Sequence, residues 1–141
     1  MDARHDRPAV LLVDDEAALL RSVRLMLRSA GIDPVLTESD PRQVMARLAG
    51  ETVGLVLLDV SMPGLGGEYL LGTLRASFPE VPVIMLSATD DPDTVERCLA
   101  GGAVGYLVKP VASGRLIAAV RRHLPGSSTL KRARENPVWA D

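Results

Sequence analysis

The sequence predicts an α/β domain built on an open, doubly wound, five-stranded parallel sheet in the order 2-1-3-4-5, with helices on both faces. Three observations predict it. Short apolar runs alternate five times with longer segments of helical period. The run at 53–58 is apolar on both alternating faces, as a central strand covered by helices on each side must be. Right-handed crossovers joining five βα units leave an open sheet, because the closed parallel barrel needs eight.

Each element has its own signal. Residues 9–13 form the first strand. Over 16–30, Leu19, Leu20, Val23, Met26, Leu27 and Ala30 share one helical face, and Gly31 stands where a helix terminates. Residues 34–37 are the second and weakest strand. Asp40 and Pro41 read as an N-cap followed by a first-turn proline, opening a short helix with Val44, Met45 and Leu48 inward.

Strand three covers 53–58. A loop rich in glycine and proline comes next, shaped by Met62, Pro63 and Gly64, in which Gly64, Gly66 and Gly67 are candidates for backbone angles denied to other residues. Over 68–78, Leu70, Leu71, Leu74 and Phe78 recur at helical spacing, and residues 83–86 make strand four. Asp91 and Pro92 repeat the cap signature for a helix whose Val95, Cys98 and Leu99 face inward and whose end is marked by Gly101 and Gly102. Strand five is 104–108. The last helix, from Ser113, buries Leu116, Ile117, Val120 and Leu124 before Pro125 and Gly126 stop it.

Charges punctuate the strand ends. Asp14 and Asp15 come after strand one, Asp59 after strand three and Lys109 after strand five. Ligands of doubly wound sheets sit at the carboxyl ends of the strands, at the switch point in strand order, which here lies between strands one and three. Two carboxylates about 4 Å apart at an effective dielectric of about 20 repel by roughly 4 kcal/mol, so a cation is expected among these acids.

The whole chain bounds the reading. Its 141 residues fit one domain over 1–124, with 125–141 left as a linker or tail. A composition 47% hydrophobic and 24% charged is ordinary for a globular protein, and a net charge of −2 gives no reason to expect direct nucleic-acid or anionic-membrane binding. A lone Cys98, a polar start and no apolar stretch long enough to cross a bilayer point to the cytoplasm. Cys98 reads as a small packed hydrophobe, and His5 and His123 as surface residues without metal-ligand spacing.

Four motifs in order carry a resemblance: residues 13–16 with Asp14 and Asp15; residues 58–64 from Leu58-Asp59 to Gly64; Leu86-Ser87-Ala88; and residues 101–110 ending in Lys109-Pro110. From about residue 8 to residue 124 the chain resembles the receiver domain of two-component response regulators. The resemblance implies that Asp59 is a nucleophile taking the phosphoryl group of a phosphohistidine, a role carboxylates fill in other enzymes. It implies Mg²⁺ held by Asp15 and Asp59 directly, by Asp14 chiefly through water, and by the backbone carbonyl of Ser61, an all-oxygen set suited to that ion.

It further implies Lys109 on a phosphate oxygen, aimed by a cis bond to Pro110, and a Ser87 hydroxyl on the acyl phosphate, with small Ala88 and Met62 lining the phosphate-site loops. Tyr106 becomes the rotameric partner of Ser87. The implied protein is a phosphorylation switch, catalysing its own phosphorylation and dephosphorylation without being a conventional enzyme, and read out on helix 4, strand 5 and helix 5. Its implied partners are a sensor histidine kinase or phosphotransfer protein, a second copy through that face, and an effector domain beyond residue 141.

Rival readings fare worse. A haloacid-dehalogenase-type phosphatase wants a second acid two residues after its nucleophile, where Ser61 stands. No Gly-rich phosphate loop succeeds any strand. A receiver-like interaction module that is never phosphorylated is the alternative.

Overall fold

The computed structural model describes residues 7–125, so residues 126–141 of the tail expected over 125–141, and His5, lie outside the described residues. The element order is β1 (Ala9–Val13), α1 (Ala17–Ser29), β2 (Val35–Glu38), α2 (Val44–Gly50), β3 (Val53–Asp59), α3 (Gly67–Ser77), β4 (Val83–Ser87), α4 (Pro92–Ala100), β5 (Gly105–Val108) and α5 (Ser113–His123). All strands pair in parallel in the order β2-β1-β3-β4-β5.

Alternation along the strands divides the core between the two sheet faces. Leu11, Val13, Val56, Leu58, Val83 and Met85 pack with α2, α3 and α4, whereas Val10, Leu12, Leu55, Leu57, Ile84 and Leu86 pack with α1 and α5. Every residue of β1 and of β4 is buried, which is why those runs carry no polar alternation.

Local chemistry sets the boundaries. Gly31 and Gly102 take φ of +86° and +105° just past α1 and α4, conformations in which a side chain would be strained. Asp91 caps α4 by accepting from the Thr94 amide at 3.1 Å. Asp40 accepts from the Arg42 amide at 3.0 Å, but it opens a 3₁₀ turn, Pro41–Gln43, before α2 begins.

Two expectations are corrected. Leu99, placed inward by its spacing, is 47% exposed, and Thr94 is buried instead, because α4 presents only Thr94 and Cys98 fully to the sheet. Of the three loop glycines, Gly64 alone takes a positive φ, +90°. Gly67 serves through closeness: a Cβ there would run into the Asp59 carbonyl oxygen and stand 2.8 Å from Val60 Cα, where the Gly67 amide bonds the Val60 carbonyl at 2.9 Å.

That crowding is backbone on backbone and cannot be relieved by a rotamer. Gly67→Ala is expected to cost about 3 kcal/mol in denaturant unfolding. Gly72→Ala, in open space on α3, should instead stabilise by about 0.5–1 kcal/mol. Equal effects at the two positions would contradict the close approach.

Candidate functional site

Register builds the site. Val13 pairs with Leu58, Asp59 with Leu86, and Ser87 with Val108, so Asp14, Asp59, Ser87 and Lys109 step across the carboxyl edge of four adjacent strands. Two of the acids are held by the chain just after them. The Glu16 amide donates to Asp14 Oδ1 at 2.9 Å and the Ser61 amide to Asp59 Oδ1 at 3.2 Å, the i to i+2 turn that aspartate favours where a strand must stop.

Asp14 and Asp59 are buried and Asp15 is exposed at the rim. One oxygen from each lies within 4.8 Å of the others, so three hard donors face a common point. Lys109 answers them, with Nζ 2.6 Å from Asp14 Oδ2 and 3.6 Å from Asp59 Oδ1. The Lys109–Pro110 peptide bond is cis.

Burial pushes the Asp59 carboxyl above the usual aspartate range, and the Asp14 and Asp15 charges push the same way against Lys109 and the Ser61 amide. Burial on its own would lower Lys109. The hydrogen bond to Asp14 and the charges of Asp59, Asp14 and Glu16 outweigh it and hold the ammonium above its ordinary value.

Ser87 is buried at the end of β4, its Oγ accepting from the Thr89 amide at 3.1 Å. Tyr106 is half-buried and donates its hydroxyl to the Thr89 carbonyl at 2.9 Å. Thr89 Oγ1 in turn accepts from the Asp91 amide at 3.1 Å. Thr89 therefore links Ser87, Tyr106 and the cap of α4. Sequence reasoning missed it, although the Ser87, Thr89, Asp91 spacing of two is a legible run of side-chain turns.

Met62 is buried behind the loop, and Ala88 and Pro110 border the cleft beside Lys109. Among the other singled-out residues, Cys98 is buried with its thiol pushed up by burial, as a packed hydrophobe should be. His123 is half-buried, not a free surface residue, and burial together with Arg122 lowers its pKa.

Known proteins share this architecture. A family profile described as response regulator receiver domain matches residues 10–121. The response regulator protein FleR of Pseudomonas aeruginosa is 38% identical over 122 residues, covering 84% of this chain and 26% of FleR. The DNA-binding response regulator MtrA of Mycobacterium tuberculosis is 36% identical over 118 residues, 84% of this chain and 51% of MtrA. The chain thus spans a quarter to a half of these curated relatives.

Among solved structures, the chemotaxis protein CheY4 of Vibrio cholerae superposes with a TM-score of 0.76 at 29% identity, covering 84% of this chain and 99% of its own. The Francisella response regulator 1452 receiver domain gives 0.77 at 28%, covering 89% and 98%.

The raised Asp59 carboxyl fixes a sign. Its ionisation favours the unfolded chain, so the stability penalty is absent below the ordinary aspartate range, grows as pH rises towards the folded value and is constant above it. In chelator, Asp59→Asn should raise the melting temperature at pH 7 by about 4 °C, on the order of 1 kcal/mol, with the gain shrinking towards pH 4. A destabilised Asn variant at pH 7 would contradict the charge crowding.

Proposed function

This chain belongs to the response regulator receiver domain family, and from that premise we propose that it accepts a phosphoryl group on Asp59 with Mg²⁺ and switches conformation in response. The observation that carries the reading is the convergence of Asp14, Asp15 and Asp59 within 4.8 Å beside the Lys109 ammonium.

The donor set fits the ion. Three carboxylate oxygens make a hard, oxygen-only site suited to Mg²⁺; Asp14, Asp15 and Asp59, with the Ser61 carbonyl beside them, would hold it. When bound, Mg²⁺ supplies neutralisation of charge on the phosphoryl oxygens.

The chain's own residues do the rest. A carboxylate oxygen of Asp59 forms a bond to phosphorus as the P–N bond of a donor phosphohistidine breaks, and the imidazole leaves with the bonding pair. Lys109, already charged beside Asp59, pairs with a phosphoryl oxygen. Ser87 Oγ now holds the Thr89 amide; donation to the acyl phosphate turns that hydroxyl towards the site and draws on Thr89, to which Tyr106 is bonded. Phosphate adds about −1.5 to −2 charges, and the loop arrangement that satisfies them is favoured over the other.

The readout face is α4, β5 and α5. Leu99, Val104 and Val108 are exposed there, a scattered apolar surface suited to a second copy or an effector domain beyond residue 141. The partners are a sensor histidine kinase or phosphotransfer protein, and the place of action is the cytoplasm. No helix among the described residues is long and apolar enough to cross a membrane.

Incubation with acetyl phosphate and Mg²⁺ should add one phosphoryl group by intact mass, and none in Asp59→Asn; no gain, or an equal gain in the variant, would reject the mechanism. Mg²⁺ at ten times its dissociation constant should stabilise the wild type by about 1.4 kcal/mol and Asp15→Asn by much less. Equal shifts would place the ion elsewhere.

A further inference from the structure

Helix α4 is seated on the sheet with little apolar bulk. It fully buries only Thr94 and Cys98, whereas each of the other four helices buries at least one leucine. Its own Leu99 is 47% exposed. The placement of α4 is therefore left largely to polar bonds, and these form a continuous path.

The path starts at Ser87, whose Oγ accepts from the Thr89 amide, while Thr89 Oγ1 accepts from the Asp91 amide. Asp91 Oδ2 then accepts twice from Thr94, from the amide at 3.1 Å and from the hydroxyl at 2.9 Å. Thr94 Oγ1 in turn accepts from Arg97 Nη2 at 3.2 Å. Arg97 grips Glu68 with two donors, Nε to Oε1 at 2.9 Å and Nη2 to Oε2 at 3.4 Å.

Glu68 lies in the first turn of α3, directly after Gly67, whose amide holds the carbonyl of Val60, the residue after Asp59. A path that begins at Ser87 thus ends beside Asp59, and β3 and β4 are paired neighbours at that end, Asp59 against Leu86. The bonds close a ring around the first turn of α4.

The Arg97 and Glu68 side chains are 58% and 40% exposed, so their pair adds little to global stability. Placement is another matter. A two-donor guanidinium fork fixes direction as well as distance, and α4 has little apolar contact to overrule it.

We infer that Arg97 is a positioning residue: with Glu68 and Thr94 it clamps the start of α4 to α3, and so keeps the Ser87 hydroxyl engaged with Thr89 until a phosphoryl group draws it away. This rests on the phosphoacceptor reading of Asp59. Release of Ser87 disturbs Thr89, which is bonded onward through Asp91 and Thr94 to the clamp. While the clamp is closed the released arrangement is the minor one; opening the clamp raises its population, and reactivity towards a donor rises with it. Salt, which screens an exposed pair, lowers the same threshold.

The test is the initial rate at which subsaturating acetyl phosphate with Mg²⁺ labels the full chain, read by intact mass. R97A and E68A should each label about two- to fivefold faster than the wild type, the range an exposed ion pair can supply. The double variant R97A/E68A should be no faster than either single one, and the charge swap E68R/R97E should return towards the wild-type rate, because the two residues act as one unit. The ratio of R97A to wild type should fall towards one as salt rises. T94S, which keeps the hydroxyl, should behave as wild type, and R97Q, the milder change at the exposed position, should follow R97A.

Unchanged or slower labelling in R97A, R97Q and E68A, additive effects in the double variant, or a charge swap as fast as the single variants would overturn the clamp while leaving Asp59 as the acceptor. A salt-independent ratio would overturn it as well. Failure of acetyl phosphate to label the wild type would bring down the phosphoacceptor reading, and this inference with it.

Discussion

The Lys109 ammonium, 2.6 Å from Asp14 and 3.6 Å from Asp59, is the contact on which the carboxyl edge of this sheet depends. Asp14 and Asp59 are both buried, Asp15 sits at the rim, and neighbouring carboxylates at such range repel by about 4 kcal/mol per pair at an effective dielectric of about 20. One lysine opposes the repulsion, while burial first and the Asp14 and Asp15 charges after it push the Asp59 carboxyl above the usual aspartate range. The edge is left short of positive charge. A shortfall of that kind, at three oxygens facing a common point, suits a divalent cation.

Hydrogen bonding gives the loop after β4 a comparable unity. Ser87, Thr89 and Asp91 are joined by consecutive side-chain to backbone bonds, and Tyr106 reaches across from β5 to the Thr89 carbonyl. A hydroxyl next to the site, the cap of α4 and an aromatic of the outer strand are therefore one hydrogen-bonded unit. Ser87 is thereby tied to the start of α4 through Thr89 and Asp91. The Thr89 backbone thus takes its partners from both β4 and β5, at the entry to α4.

The two faces of the sheet have diverged in charge. α2, α3 and α4 carry paired ions, whereas on α1 and α5 Arg21, Arg24, Arg115 and Arg122 have no carboxylate partner among the described residues. A net charge near zero is compatible with strong local fields, since fields depend on arrangement and not on the sum.

Much of this was legible in the chain. Period-two and period-3.6 apolar patterns belong to single segments, so apart from the start of α2 the strands and helices were found within a residue or two, and the Asp-Pro caps named the start of α4 and of the 3₁₀ turn that leads into α2 because capping is local chemistry. The acids and Lys109 were legible because strand ends are where doubly wound sheets place function. Tertiary structure decided the rest: that Leu99 faces solvent, since helix rotation is set by what the sheet accepts; that Gly67 is required by the approach of Asp59; that Thr89 joins Ser87 to Tyr106; and that arginines distant in sequence share one face. Each is a relation between segments, fixed by distances in space that no local pattern encodes.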